Sequence, residues 1–544
     1  MKIALAQINT TIGDFEGNLR RILDRLRQAG KQGAELVVFP ELTLTGYPPK
    51  DLLDRPDFIE ANLRALRRLT REVSAPACLV GFVDWRPSPQ GKPLANAAAL
   101  ISRGKIQEIT HKILLPTYDV FDEGRYFEAG KASKITLFSR RKLGLSICED
   151  IWNDRTFWGR EPYAFDPVLE QARGGADLLV NISASPYSRG KEKVRYALLR
   201  RQALRYRVPL IYLNLVGGND DLVFDGQSMV LSAEGRLLHQ SPAFRESLDV
   251  LDLKKLRAIE IPRRPESELV LEALIVGLQD YMRKCGFQRV VVGLSGGIDS
   301  ALTAWIAARA LGPKNVLGIS MPSEFSSKGS LADAKALAAA LNIEYRIYPI
   351  HELYRNYQNT LHYAAAPVDV ALQNIQARIR GNLLMALSNR EGRLLLSTGN
   401  KSELSVGYCT LYGDMAGGFA LLSDVPKTLV YQLARLANRL QRAIPPSTLR
   451  KAPSAELAPH QKDSDDLPPY PVLDAILERY IEKRMSAAQI IRDGFEKATV
   501  LKVLRRLDNN EYKRRQAAPG IRVTSKAFGY GWRMPISSLY RVQA

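Results

Sequence analysis

Val290-Val-Val-Gly-Leu-Ser-Gly-Gly-Ile-Asp-Ser300 decides the fold of its half of the chain. The β-branched run predicts a short buried strand, Ser295-Gly296-Gly297 a tight turn, and Asp299-Ser300 the start of a helical pattern that continues through Ala301-Leu-Thr-Ala-Trp-Ile-Ala307. A strand, a glycine-rich turn and a helix start aim successive backbone N–H groups at one point, where the positive end of the helix dipole also lies. Such a loop suits a phosphate. It is not a Walker loop, because no lysine precedes Ser300 in the required place. Asp299 would lie beside the phosphates, where a bare carboxylate is repelled unless a cation bridges the two, so Mg2+ is implied. Two glycines alone would read equally well as an ordinary turn; the full Ser-Gly-Gly-Ile-Asp-Ser is far more specific.

That loop, Gly293, Leu294, Ser295, Gly296, Gly297, Ile298, Asp299 and Ser300, resembles the pyrophosphate-binding loop of the N-type ATP pyrophosphatases. The resemblance implies adenylation of a substrate by ATP, followed by displacement of AMP by a nitrogen or sulfur nucleophile. Outward from the loop, an amphipathic helix is predicted over Glu266–Lys284. Helix Asp299–Leu311, strand Asn315–Ser320, helix Leu331–Leu341 and strand Ile343–Tyr348 then repeat a βα unit, predicting a doubly wound parallel sheet. Leu394-Leu-Leu-Ser-Thr-Gly-Asn-Lys-Ser-Glu403 is again strand, polar turn and helix start, with a hydroxyl at Thr398 and a carboxylate at Glu403 that could share Mg2+ with Asp299. Capping at Ser397 or Thr398 is the generic alternative.

Together with Asn374, Tyr412-Gly-Asp-Met-Ala-Gly-Gly418, Val425-Pro-Lys427, Pro453-Ser-Ala-Glu-Leu457 and Asn510-Glu-Tyr-Lys-Arg-Arg515, these stretches resemble the NAD synthetases from about residue 266 to the C-terminus. By that resemblance the loop, Thr398 and Lys427 contact ATP, with Ser454 a weaker candidate. Asn374, Glu403 and Lys513 contact deamido-NAD+, and Asp299 with Glu403 holds the metal. Ammonia-dependent relatives carry a lysine before the position of Gly413; Leu411 stands there here, so that contact is not carried over. Residues 445–471 are rich in Pro, Ser and charge and read either as a plain surface loop or, the favoured reading, as a lid beside the active site.

Residues 1–245 alternate strands and helices more densely, with strands predicted at Ile3–Ile8, Leu36–Phe39, Ala77–Val83, Ala95–Ile101, Lys142–Ile147, Asp177–Asn181 and Pro209–Leu213. Helices are read at Asn18–Gln32 and Leu198–Tyr206. Residues 246–265, basic and punctuated by proline, read as a linker, which leaves 266–544 as the second domain. Three strand ends in the first domain carry reactive side chains: Glu41 after Val37-Val-Phe-Pro40, Lys112 in His111-Lys-Ile-Leu-Leu-Pro116, and Cys148 after Leu143-Gly-Leu-Ser-Ile147. Each alone has a dull explanation, since cysteines are often buried and charged residues solvated. As a set they supply a thiol nucleophile, a base to ionise it and a cation for the oxyanion, which cleaves an amide without histidine.

The three segments resemble the nitrilase superfamily, whose Glu-Lys-Cys triad cleaves carbon–nitrogen bonds. The resemblance implies an α-β-β-α sandwich in which Glu41 is the general base, Lys112 supports the oxyanion with the backbone N–H of Glu149, and Cys148 forms a thioester. Glu123, in Asp122-Glu-Gly-Arg-Tyr-Phe127, matches a second glutamate near the lysine. Glutaminase members have counterparts of Tyr118, Ser185 and Lys191, which would bind free L-glutamine.

The bulk properties fit this division. A chain of 544 residues is long enough for at least two cores. Hydrophobic content of 46% and charged content of 25% are those of a globular protein, with no run long enough to span a bilayer. Cys78, Cys148, Cys285 and Cys409 form no CxxC pair, so a reducing cytoplasm is expected and no zinc site is. The net charge of +20 is spread along the chain rather than gathered in a tail. It is better assigned to polyanionic substrates and homo-oligomer contacts than to nucleic acid.

The expected fold class is thus α/β in both halves. The expected chemistry is glutamine-dependent amidation of deamido-NAD+ through an adenylate, with ammonia passed from the first site to the second out of contact with bulk water. The alternatives are another glutamine-dependent adenylating amidotransferase, and a basic RNA-binding relative. No aromatic-rich RNA-binding motif supports the last.

Overall fold

The computed structural model describes residues 1–87, 90–363, 367–459 and 461–540. The chain divides into two units, Met1–Arg263 and Arg264–Ala544. In the first, β1 (Lys2–Gln7), β2 (Leu36–Val38), β3 (Ala77–Trp85), β4 (Leu94–Ser102), β5 (Lys105–His111), β6 (Ile135–Phe138) and β7 (Arg141–Ile147) precede β8 (Leu178–Ser183) and β9 (Leu210–Asn214). The short strands β10 (Val216–Asn219), β11 (Leu222–Asp225), β12 (Met229–Leu231), β13 (Leu237–Gln240) and β14 (Ser247–Asp252) follow. They form two six-stranded sheets, ordered β14-β1-β2-β3-β4-β5 and β13-β12-β9-β8-β7-β6, and a separate β10–β11 ribbon. Each sheet has a parallel centre, β1-β2-β3 or β7-β8-β9, flanked by antiparallel strands.

Side-chain alternation makes these sheets a sandwich. Ile3, Leu5, Leu36 and Val38 meet Leu145, Ile147, Val180 and Ile182 in the core between the sheets. Their neighbours Ala4, Ala6 and Val37 face outward instead, onto Leu19, Ile22 and Leu26 of helix Phe15–Lys31 and Leu66 and Leu69 of helix Pro56–Glu72. The other sheet's outer face carries Leu179, Leu210 and Tyr212 against Val168, Leu199 and Ala203. Central strands are therefore apolar on both faces, which is why they read as continuous hydrophobic runs. The layers are α-β-β-α.

The stretch read as a linker begins with structure. Ser247–Asp252 is β14, antiparallel to β1 from Gln7↔Ser247 to Lys2↔Asp252, and Leu251, Leu253 and Leu256 pack against the inter-sheet core. The basic helix read from Leu198 starts earlier, at Lys191.

The second unit holds β15 (Val290–Gly293), β16 (Val316–Ser320), β17 (Glu344–Ile347), β18 (Leu394–Ser397) and β19 (Phe419–Ala420), all parallel, in the order β17-β16-β15-β18-β19. One face is covered by helices His351–Thr360 and Val370–Glu391, whose Tyr354, Leu372 and Ile379 pack on Val291, Leu317 and Leu395. Helices Glu266–Lys284, Ile298–Leu311 and Lys427–Leu440 pack against one another, and Ile298–Leu311 lies on β15 and β16. The chain leaves β15 towards β16 and leaves β18 towards β19, so the winding reverses between β15 and β18. In open parallel sheets that reversal opens a crevice at the carboxyl ends of the strands. Both loops singled out in the sequence, after β15 and after β18, lie there. Residues 445–471, read as loop, include the short helix Pro446–Arg450 and end in helix Tyr470–Leu477.

Candidate active sites

In the first unit, β2 ends at Val38 and the chain turns through Pro40 to place Glu41, fully buried, next to β3. Gly81 makes that approach possible: a Cβ there would stand 2.2 Å from the backbone nitrogen of Leu42. Lys112, 1% exposed, donates to Glu41 Oε1 at 2.7 Å and to the Glu123 carboxylate at 2.8 Å. Asn96 Nδ2 donates to Glu41 Oε1 at 2.8 Å and the Ala184 N–H to Oε2 at 2.8 Å, so three donors fix the Glu41 carboxylate. Tyr47 donates to Glu123 Oε1 at 2.9 Å. Burial alone would lower the Lys112 ammonium, but Glu123 and Glu41 hold it well above its usual value. Burial pushes the Glu123 carboxyl up, with Lys112 opposing and Glu41 adding to it.

Cys148 begins a tight turn, Cys148–Ile151, directly after β7, with φ +44°. A side-chain-bearing residue in the left-handed region is strained and persists only where its surroundings dictate it. Asp150 supplies that constraint. One oxygen accepts from the Ile147 N–H at 3.0 Å, and the other from the Ile113 and Leu114 N–H groups at 3.0 and 2.8 Å. The turn that carries the thiol is thereby tied to the strand end that carries Lys112. Burial pushes the Cys148 thiol well up, Glu41 adds to this and Lys112 opposes it, so the resting group is a thiol that needs a base.

Around this centre, Tyr118 donates to both Glu149 oxygens at 3.0 Å and Tyr163 to Glu149 Oε1 at 2.9 Å. Ser185 is buried after β8, and Lys191, the first residue of its helix, donates to the Pro186 carbonyl at 3.0 Å.

In the second unit, Gly296 has φ +78°, and a Cβ on it would lie 2.3 Å from the Ser330 carbonyl oxygen, so the turn after β15 admits only glycine. Ser300 Oγ donates to the Gly297 carbonyl at 3.0 Å and accepts from the Ser295 N–H at 3.3 Å, which closes the loop on the helix start. Beneath it is a cavity of about 310 Å³. Its walls include Gly293, Leu294, Ser295, Gly297, Ile298, Asp299 and Ser300, together with Thr398, Glu403, Lys427 and Ser454; Gly296 faces the Ser330 backbone instead.

Lys427 Nζ lies 2.5 Å from Asp299 Oδ2 and 3.2 Å from Glu403 Oε1, and Asn400 Nδ2 donates to Asp299 Oδ1 at 2.9 Å. Burial pushes the Glu403 carboxyl up, Lys427 opposes and Asp299 adds to it. Burial alone would lower Lys427, yet Asp299 and Glu403 raise it. Two carboxylates thus converge on one cation position.

Asn374 and Lys513 do not line the cavity. Asn374 Oδ1 accepts from Thr410 Oγ1 at 2.7 Å, and Lys513 Nζ donates to the Gly407 and Cys409 carbonyls at 2.8 and 2.7 Å. Both hold the segment whose Thr410 and Asp414 form part of the wall.

Residues 2–261 match the carbon-nitrogen hydrolase family and residues 270–517 the NAD synthase family. The glutamine-dependent NAD(+) synthetase of Synechocystis sp. is 50% identical over 99% of this chain and 99% of its own length. This chain belongs to the glutamine-dependent NAD(+) synthetase family. The Thermotoga maritima member is 43% identical, again over 99% of both chains. The solved structure of the Acinetobacter baumannii member, in complex with ADP, superposes with a TM-score of 0.78 at 39% identity, over 100% of this chain and 99% of that one.

Family membership accounts for two sites on one chain, and the structure adds residues that the sequence reading passed over. Asn96 and Tyr47 orient the paired glutamates, and Asp150 ties the cysteine turn to the lysine strand end. Asp463, 5% exposed, lines the cavity of the second unit and keeps Oδ1 without a hydrogen-bond partner among the described residues, while Oδ2 accepts from Tyr470 at 2.7 Å. The one available signal was Cys148-Glu-Asp150: a carboxylate two residues past a strand-end nucleophile is placed to cap that turn. The described residues contain no helix long and apolar enough to cross a membrane.

Proposed function

We propose that the chain makes NAD+ from deamido-NAD+, ATP and L-glutamine, releasing glutamate, AMP and pyrophosphate, as a carbon–nitrogen ligase with glutamine as amido donor. The observation that carries this is the pairing, on one chain, of a Glu41–Lys112–Glu123 cluster beside a strained Cys148 with a serine-glycine loop at the reversal point of a parallel sheet.

At the first site Glu41 takes the Cys148 proton as sulfur attacks the glutamine carboxamide carbon. The oxyanion that forms is met by the Lys112 ammonium and the Glu149 N–H. Return of the proton to the leaving nitrogen breaks the C–N bond and gives ammonia and a thioester. Water, activated by Glu41, then releases glutamate and restores the thiol. Glu123 keeps Lys112 charged and aimed. Ser185, Lys191 and Tyr118 bind the amino-acid end of glutamine.

At the second site the nicotinate carboxylate attacks the α-phosphorus of ATP, an O–P bond forms and pyrophosphate departs into the Ser295–Ser300 loop. Ammonia then attacks the acyl carbon and AMP leaves. Thr398 and Lys427 contact ATP, and Asn374, Glu403 and Lys513 act on the deamido-NAD+ side. The hard oxygens of Asp299 and Glu403 fit Mg2+, which takes one or two carboxylates and completes its shell with phosphates and water. No group of three or more His, Cys, Asp or Glu among the described residues is arranged to hold a metal unaided, so the ion would arrive with the nucleotide. When bound, Mg2+ offsets the charge of the departing pyrophosphate. The 445–471 segment acts as a lid, since Ala452 to Leu457 already form one wall.

Incubation with ATP, deamido-NAD+ and glutamine should yield NAD+ and AMP in equal amounts, with at least as much glutamate. Absence of NAD+ with both glutamine and ammonium as nitrogen source overturns the proposal.

A further inference from the structure

We propose that the buried pair Arg195–Asp225, which touches none of the proposed reacting groups, is the positioning element that sets the glutamine amino-acid subsite. The inference rests on the assignment of Ser185 and Lys191 to that subsite.

Arg195 and Asp225 are each 1% exposed. The guanidinium grips the carboxylate with both arms, at 3.0 and 2.6 Å. A planar fork on a carboxylate fixes direction as well as distance. Asp225 has two further donors, Asn214 Nδ2 at 3.3 Å on one oxygen and Gln227 Nε2 at 2.7 Å on the other.

The pair's neighbours give it a role. Arg195 is one helical turn beyond Lys191, so holding Arg195 fixes the azimuth of the helix that presents Lys191. On the other side, Asn214 clasps Ser185 at both backbone groups. Its Oδ1 accepts from the Ser185 N–H at 2.9 Å and its Nδ2 donates to the Ser185 carbonyl at 3.2 Å. The Tyr187 N–H also donates to the Val223 carbonyl at 2.7 Å, on the strand that carries Asp225. Arg195 therefore fixes Lys191, and Asp225 with Asn214 fixes Ser185. The distance between the partners of the glutamine ammonium and carboxylate ends follows from one ion pair.

An ion pair is a costly way to fill a core. Two apolar side chains would do as well, while loss of one partner strands a buried charge. Its geometry is what apolar side chains lack. A small error in the spacing of the two subsite groups weakens binding of the amino-acid end and leaves the thiol chemistry untouched, which is a change in KM rather than in kcat.

The test uses the full-length enzyme. Asp225→Asn and Arg195→Lys should each raise the KM for glutamine about tenfold or more, with kcat within about twofold of wild type. Ammonium-supported NAD+ synthesis should be unchanged in both, which shows that the second unit is intact, and the retained glutamine kcat shows that the first unit is folded. If Asp225→Asn does not fold, Arg195→Lys keeps the charge and loses only the fork. Inactivation of Cys148 by 6-diazo-5-oxo-norleucine, which carries the amino-acid end, should slow about tenfold, while alkylation by iodoacetamide, which lacks it, keeps its rate. Lys191→Ala is the control on the subsite assignment: an unchanged glutamine KM in that variant means the assignment itself has failed. A raised KM in Lys191→Ala beside wild-type KM in folded Asp225→Asn and Arg195→Lys overturns the positioning role alone. Equal slowing with both alkylating reagents also overturns it, as general damage.

Discussion

The two proposed sites share one device, a buried ammonium between two carboxylates, and differ in what surrounds it. At the first, each carboxylate has its donors in the protein: Glu41 takes Lys112, Asn96 and the Ala184 amide, Glu123 takes Lys112 and Tyr47, and Asp150 takes three backbone amides. At the second, Asp299 and Glu403 share the Lys427 ammonium and each also accepts from Asn400, but Asp463 keeps an oxygen without a partner among the described residues, and a cavity of about 310 Å³ opens beside them. The contrast follows from the chemistry. The carboxamide that the thiol attacks is uncharged, so the charges around the reacting atoms can be preset. Phosphoryl transfer brings a polyanion and its counter-cation, so the second site keeps an open cavity and an unpartnered Asp463 oxygen until they arrive.

Breaking one site at a time tests this contrast. The largest effect is expected from Cys148→Ala, which should lower glutamine-supported synthesis by at least about a thousandfold and leave ammonium-supported synthesis standing. Loss of both activities would mean that the two chemistries are not separable in the way the two charge arrangements imply. Next comes Asp299→Ala, expected to slow ATP–pyrophosphate exchange about a hundred- to a thousandfold while glutamine hydrolysis persists. Unchanged exchange would remove Asp299 from the phosphate and metal site.

How much of this was legible in the sequence also divides along a physical line. Long central strands are readable because they are apolar on both faces: β1, β2, β3, β4, β7, β8 and β9 are all found, whereas the three-residue central strand β12 and the four-residue strands β10 and β11, though buried, are too short to show a pattern. The four edges of the two six-stranded sheets, β5, β6, β13 and β14, are also missing from the sequence reading. Strand β5, Lys-Ile-Gln-Glu-Ile-Thr-His, is largely exposed, and β14, Ser-Leu-Asp-Val-Leu-Asp, is half-buried along its whole length. Edge strands carry charge and weak alternation because solvent takes one side, and that erases the pattern that identifies them. Residues 247–252 of the stretch read as a linker are the same case, since β14 is an edge.

The sites divide similarly. Glu41 and Cys148 stand out because each ends an apolar strand, where a lone reactive side chain is conspicuous. Asn96, Tyr47, Asp225 and Arg195 acquire their roles only through partners distant in sequence, and nothing in their own surroundings marks them.

Glu123→Gln sharpens the comparison within the first site. It keeps size and hydrogen-bonding capacity but removes one of the two charges that hold Lys112 protonated. Glutamine hydrolysis should fall about ten- to a hundredfold, mostly in kcat, because the oxyanion partner weakens while the subsite is untouched. A change confined to KM would place Glu123 with the substrate rather than with the lysine.

The smallest expected effect is a pH dependence, and its sign separates chemistry from folding. Burial raises the Asp150 carboxyl from 3.8 to about 6, against the pull of its three amide donors. The folded protein therefore takes up this proton more readily than the unfolded chain, so this group contributes stability as pH falls through about 6 and withdraws it as pH rises. Activity should run the other way. A protonated carboxyl has one poorer acceptor, so the tie between Ile147 and the Ile113–Leu114 amides loosens and the thiol moves relative to Lys112. With a midpoint near 6, about nine-tenths of the group is protonated at pH 5, and glutamine-dependent kcat should drop about tenfold between pH 7 and pH 5. Ammonium-supported synthesis has no such dependence on Asp150, and the Asp150 contribution to the melting temperature should not decline over the same interval. Asp150→Asn should hold kcat low and level across this range, whereas Glu123→Gln, which also removes a buried carboxyl with a raised value, should keep the acid limb. A limb that survives in Asp150→Asn and vanishes in Glu123→Gln would move the titration from the cysteine turn to the lysine pair.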